Sequence, residues 1–187
     1  MQNHSYLTYE EFGRKFFEVA VTEERVAAAF EAIAGDEFEM PPMRQGPGGI
    51  AKVSAKVQIQ QPRVTRGLGD LLTFEIHIPL VVDLLIDLRL DKQRFTVAGD
   101  IALRATARAA EPLLLIIDVP KPRSSDITVE VSSMSIRGEL LRIFAGVDGE
   151  IRRFIAAYVA DEIENPQSQQ AQIIDVADRL NSAWTGI

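Results

Sequence analysis

LTFEIHIPLVVDLLIDLRL, residues Leu72 to Leu90, carries an apolar side chain at every even position. Leu72, Phe74, Ile76, Ile78, Leu80, Val82, Leu84, Ile86, Leu88 and Leu90 form one set, while Thr73, Glu75, His77, Pro79, Val81, Asp83, Leu85, Asp87 and Arg89 form a mixed second set. A period of two sorts side chains onto opposite faces of a β-strand, whereas a helical stripe needs spacings of three and four. At roughly 3.3 Å per residue a straight strand of this length would run about 60 Å. A compact chain of this size has a radius of gyration of only about 16 Å. The strand must therefore curve hard or break into two collinear pieces. Pro79, which cannot donate to a ladder, marks the expected place.

The flanking segments repeat the pattern. Ala51, Val53, Ala55, Val57 and Ile59 alternate with Lys52, Ser54, Lys56, Gln58 and Gln60. Pro62 and the run Gly67-Leu68-Gly69-Asp70 then mark a break or turn. Phe95, Val97, Ile101, Leu103, Ala105 and Ala107 make a further half-buried strand, with Asp91 to Arg94 as the hairpin turn and Gly99 as a candidate bulge. Leu113 to Val119, which includes Leu115, is a more continuous apolar strand; a turn over Pro120 to Ser125 leads to Ile127, Val129 and Val131. Met40 to Gly49 (MPPMRQGPGG) holds three prolines and three glycines, and reads as a connector or pocket lip without regular structure. It lacks the Lys-Ser/Thr ending of a phosphate-cradling loop.

Helices are expected at both ends. Thr8-Tyr9-Glu10-Glu11 has the form of a capping box, and Phe12, Phe16, Val19 and Ala20 follow at helical spacing. Thr22 is a second N-cap, ahead of Glu23 and Glu24, with Val26, Ala29, Phe30 and Ile33 as the stripe and Gly35 as the stop. Leu140, Phe144, Val147, Ile151, Phe154, Ile155, Tyr158 and Val159 make one wide stripe on a long C-terminal helix. Gly146 and Gly149 suggest a bend or close packing there, and Asn165-Pro166 ends the helix. Ser168 then caps a final helix carrying Ile173, Ile174, Val176, Ala177, Leu180 and Trp184.

The fold class expected is α+β: a long, highly curved antiparallel β-sheet wrapped around a long C-terminal helix, preceded by two short N-terminal helices. The 187 residues form one domain, with helices over 1–40, the sheet over 50–136 and C-terminal helices over 137–187.

Composition narrows the chemistry. The chain has no cysteine, which removes disulfides, thiol catalysis and cysteine-ligated metals and points to a reducing compartment. No signal-peptide pattern precedes Glu11 and no apolar run reads as a membrane span, so a cytoplasmic location is expected. The preference for arginine over lysine suggests a bacterial source. A net charge of −7 repels phosphate backbones and argues against nucleic acid as a partner. His4 and His77 are the only histidines, with no metal-ligand spacing between them and no G-x-S-x-G elbow elsewhere. His77 beside Glu75 reads as a residue of a solvated sheet face, and Asp83 and Asp87 as solubilising charges that blunt strand edges. No catalytic residue, metal site or cofactor is therefore expected.

What remains is an excess of apolar surface, which reads either as a large core or as a groove between sheet and helix that holds an apolar ligand, since ligand pockets are mostly apolar with few polar anchors. The groove's expected lining is Phe74, Ile76, Ile78, Val82, Leu84, Ile86, Ile101, Leu103, Leu115, Phe144, Phe154 and Tyr158.

The order of elements, with Ile127-Thr128-Val129-Glu130-Val131-Ser132-Ser133-Met134-Ser135-Ile136-Arg137-Gly138-Glu139-Leu140 running into an amphipathic helix through Ile163, resembles the tubular lipid-binding (TULIP) superfamily. The resemblance covers roughly Ile50 to Ile163. It implies a curved sheet around a long helix, with lipid held in the resulting tube, in a protein that binds or transports a lipid or other hydrophobic small molecule without catalysis. Unlike the secreted members this chain shows no signal peptide and no disulfide, and it is one unit where several carry two. Two alternatives stay open. A helix-grip (START or polyketide-cyclase-like) protein would act on a polyketide-type substrate, although that fold normally begins with a strand. A structural assembly protein would oligomerise, as a homodimer for example, through its apolar faces.

Overall fold

A computed structural model describes residues 5–67, 69–131 and 138–184. His4, Leu68 and the 132–137 part of the stretch that carries the family resemblance lie outside the described residues. The fold is α+β, with a strongly curled antiparallel half-barrel, short N-terminal helices and one long helix.

The centre is a hairpin of β4 (Thr73–Asp87) and β5 (Lys92–Ala110), in unbroken register from Thr73↔Thr106 to Asp87↔Lys92. The even side chains of β4 from Phe74 to Ile86 are all buried, as the period of two requires. β4 runs through Pro79 without breaking, so its length is accommodated by curvature. The neighbouring strand is what breaks. β2 (Ala51–Ile59) pairs with Leu80–Asp87 and β3 (Arg63–Gly67) with Thr73–His77. The Gln60 amide donates to the Pro79 carbonyl at 2.8 Å. In a strand a residue's N–H and C=O point the same way, so the donor that Pro79 lacks faces the point where β2 gives way to β3.

Four other strands flank these. β1 (Glu37–Gln45) pairs with β2; β6 (Leu114–Asp118) and β7 (Ile127–Glu130) both pair with β5; and β8 (Ile173–Asp175) pairs with β6. Helices α1 (Tyr9–Ala20) and α2 (Glu23–Ala28) precede the sheet. α3 (Glu139–Glu164), α4 (Pro166–Ala171) and α5 (Val176–Trp184) follow it.

Several expectations are corrected. Met40 to Gly49 is not free of regular structure, because β1 passes through it. The register moves from Met40↔Ala55 to Met43↔Val53, leaving Pro41 and Pro42 opposite Ser54 alone, and a bulge on an edge strand is where prolines are tolerated. The Gly67–Asp70 break is preceded by a strand of its own, β3. The hairpin turn is Leu88 to Asp91, not Asp91 to Arg94: the Leu88 amide donates to the Asp91 carbonyl at 2.8 Å, Arg89 takes φ 70°, and Leu90 is fully exposed. Gly99 is no bulge, since the β4–β5 register is continuous across it. The final helix is interrupted by β8; Asn165 caps α4 and the Asp175 carboxylate accepts from the Asp178 amide at the start of α5 (2.9 Å), so Ser168 caps neither.

α3 packs against β1, β2 and β7, and α2 against β3 and β4. Val147, Ile151, Ile155 and Val159 of α3, and Val21, Val26, Phe30 and Ile33 of the N-terminal segment, join the β4 side chains in one buried cluster. The half-barrel is thus plugged by two elements, the long helix and the α2 region.

Two glycines make opposite predictions. A Cβ on Gly99 would stand 2.9 Å from the Thr128 carbonyl oxygen and 3.4 Å from Leu80 Cβ, so the close approach of β7 leaves no room. Gly99→Ala is expected to destabilise by about 1–3 kcal/mol. A Cβ on Gly146 would meet only the flexible end of Gln45, at 2.9 Å from Oε1. Gly146→Ala is therefore expected to stabilise by about 0.5–1 kcal/mol through helix propensity. Urea unfolding of the two variants, read as a midpoint shift at constant slope, checks both signs.

Candidate functional site

The expected lining residues separate into two groups. Phe74, Ile76, Ile78, Val82, Leu84, Ile86, Ile101, Leu103, Leu115 and Phe144 are all between 0% and 6% exposed and belong to the buried cluster. Phe154 and Tyr158 lie on the flank of α3, half-buried against β1. The Phe38 ring stacks on Tyr158 at 3.9 Å between centroids and tilts on Phe154 at 5.9 Å. The Tyr158 hydroxyl donates to Asp36 Oδ2 at 3.2 Å; burial and then this carboxylate raise the phenol above its ordinary pKa. Phe38, which ties these two residues to the sheet, was not singled out from the sequence because it sits in the proline-rich edge strand.

Open space lies at the end of the half-barrel where β4 begins and β5 ends. A groove of about 590 Å³ runs between α1 and the sheet there. Tyr9, Gly13 and Phe17 of α1 face Leu71, Leu72, Ala107 and Ala109 across it. Arg14, Arg66 and Arg108 line it together with Glu10, Glu18 and Asp70, so cationic and anionic groups balance. Arg66 donates through its guanidinium to the Glu18 carbonyl at 3.4 Å, and its amide donates to Glu23 Oε1 at 2.7 Å, which ties β3 to both N-terminal helices. Among the described residues no carboxylate pairs with Arg14.

α1 owes its place to local sequence. The Glu11 amide donates to Thr8 Oγ1 (3.2 Å) and the Thr8 amide donates to Glu11 Oε2 (2.9 Å), closing the capping box. Yet no residue of α1 is buried. Phe16, Phe17 and Ala20 are half-buried against the core, while Tyr9, Phe12 and Val19 are exposed. The helix therefore leans on the mouth of the half-barrel without being locked to it. The hydrogen bond from the Thr8 amide, chiefly, lowers the Glu11 pKa from its usual value of 4.5. A depressed carboxylate pKa supports the folded form above the unfolded value and withdraws that support as pH falls through the folded one. The first turn of α1 should accordingly fray as pH drops below about 4.5. The NMR shift of the Thr8 amide is expected to follow that titration, and Glu11→Gln to remove it.

The outer face of the sheet carries its own chemistry. His77 Nδ1 lies 2.6 Å from Asp100 Oδ2, Arg104 pairs with Glu75 at 3.0 Å, the Thr96 hydroxyl donates to Asp83 at 2.5 Å, and Lys92 pairs with Asp87 at 3.4 Å. Asp83 and Asp87 are thus cross-strand partners on the solvated face. A depression of about 480 Å³ holds Glu75, His77 and Arg104 beside the Lys121–Asp126 segment, and Leu103 forms part of its wall. The described residues contain no group of three or more His, Cys, Asp or Glu side chains suited to a metal. No described helix is long and apolar enough to cross a membrane.

No family model and no curated protein matches the sequence. The crystal structure of a lipopolysaccharide binding protein is similar to this chain at 13% identity and a TM-score of 0.44, covering 86% of this chain and 39% of that one. The chain thus corresponds to about two-fifths of the length of that protein's chain.

Proposed function

We propose that the protein binds, and carries without catalysis, a lipid or other amphiphilic small molecule, held in the groove beneath α1. The observation that supports this reading is the groove itself: about 590 Å³, floored by the apolar end of the β4–β5 hairpin and roofed by a helix that buries no residue. Pockets of this size suit one small ligand, with apolar walls taking up the chain and a few polar groups orienting the head. The balanced ring of three arginines and three carboxylates suits a neutral or zwitterionic head over a strongly charged one.

The buried strip from Phe74 to Ile86, with Ile101, Leu103, Leu115, Phe144, Phe154 and Tyr158, is the path along which a long chain would extend if the helices packed over it drew back. On this reading the chain is a relative of the tubular lipid-binding superfamily, supported by a curled sheet plugged by a long helix. It differs in that the ligand enters beneath the N-terminal helix.

Native mass spectrometry and solvent extraction of the purified protein test the proposal, with displacement of an environment-sensitive fatty-acid probe as the second readout. A bound amphiphile, or displacement by one, is expected. Protein that carries nothing and releases no probe overturns it.

A further inference from the structure

Strand register and the packing of α1 bring four exposed apolar segments to one end of the half-barrel. Thr73↔Thr106, Ala110↔Leu114 and Leu114↔Asp175 place the loop before β4, the β5–β6 hairpin and the start of α5 side by side. Leu71 in the first is 54% exposed and Leu113 in the second 50%. The Val176 amide donates to the Leu113 carbonyl at 3.0 Å, anchoring α5 to that end. α5, like α1, has one apolar face and buries no residue, and it exposes Leu180 and Trp184 as α1 exposes Tyr9 and Phe12. Unburied apolar faces on two helices and two loop tips, gathered around one mouth, mark an interaction surface.

We propose that this rim docks on a zwitterionic lipid surface. Residue type favours lipid: tyrosine, phenylalanine and tryptophan on amphipathic helices are the side chains that settle at the boundary between head groups and acyl chains. Charge selects the kind of lipid. α1 sets Glu10, Glu11 and Glu18 against Arg14 and Lys15, and α5 sets Asp178 against Arg179. The two helices lack the excess of basic residues that draws a protein to anionic lipid, and the chain as a whole carries −7. The apolar contact must then supply the binding, so a neutral surface is the one that fits. This inference rests on the exposed rim and holds whether or not the groove takes a ligand.

Trp184 is the only tryptophan in the chain and lies on the proposed surface, so its fluorescence reads docking directly. Titration of the full chain with phosphatidylcholine vesicles should shift its emission to the blue, and acyl chains brominated near the head group should quench it. Raising the salt concentration should leave both unchanged. Phe12→Glu and Leu180→Glu, checked for folding by circular dichroism, should each weaken vesicle partitioning about tenfold.

An unshifted spectrum overturns the proposal. So does a shift confined to phosphatidylserine vesicles and lost in salt. A shift produced by protein concentration alone, without vesicles, overturns it in favour of self-association. Displacement of the soluble fatty-acid probe without vesicles reports on the groove alone, so failure of one reading is distinguishable from failure of the other.

Discussion

Phe74→Ala is expected to lower stability by about 3–5 kcal/mol, the range for truncating a buried aromatic ring. Phe74 is fully buried and is among the largest of the buried side chains. It pairs with Ala105 of β5 on one side and Arg66 of β3 on the other, and both partners are fixed by continuous ladders. The space left by the ring cannot close by sliding one strand, because a one-residue slip would turn every even side chain of β4 outward. Domains of this size have about 5–15 kcal/mol to lose, so the variant sits near the threshold of folding. A urea midpoint that falls steeply at unchanged slope would bear this out. A loss under about 1 kcal/mol would mean that the β3 end of the sheet is not part of the cooperative core.

Phe17→Glu should have the largest effect on binding. Its ring is half-buried, packs edge-on against Phe16 at 6.2 Å and 79°, and lines the groove. A carboxylate there puts a charge where the chain of the ligand lies, and affinity for a soluble fatty-acid probe should drop at least about tenfold. Stability should change little, because α1 contributes no fully buried residue. Phe12→Glu is the control on the same helix. Phe12 is 60% exposed and does not line the groove, so probe binding should be retained. Equal losses in the two variants would point to general disruption of α1 and remove the groove from consideration.

These two positions show what the sequence disclosed and what it hid. The alternation around Phe74 was legible because one face of β4 meets only apolar neighbours, and burial enforces a period of two over the whole strand. The capping residues Thr8 and Thr22 were legible because caps act within four residues. β1 was not, since its prolines sit in a bulge whose tolerance depends on lying at an edge, a fact of topology. β3 was hidden because a short polar strand paired to the end of a longer one leaves almost no periodic signal. The alternation ran past the true end of β4 to Leu90, whose exposure follows from the left-handed turn at Arg89 and the Asp87 carboxylate that accepts from its amide at 3.0 Å.

The apolar excess was legible too, but its destination was not. Most of the anticipated lining is consumed by α3 and the α2 region. The groove is lined by Tyr9, Gly13 and Phe17 of α1, which lie outside the Phe12, Phe16, Val19 and Ala20 stripe. Periodicity tells which residues share a face. It does not tell whether the surface opposite that face is large enough to cover it.

The paired prolines of β1 have a consequence for solubility. A sheet that curls without closing keeps two outer margins, and a margin with free amides and carbonyls invites another chain to zip alongside. Here one margin carries Pro41 and Pro42, with no amide hydrogens to offer and a kink that spoils the repeat. Elsewhere the open edges belong to short strands, the five-residue β3, the four-residue β7 and the three-residue β8, which offer too little length to seed a neighbour. A protein of this shape should stay free of fibrils even when concentrated, and the residues to thank are those that looked, in the sequence, least like part of a sheet.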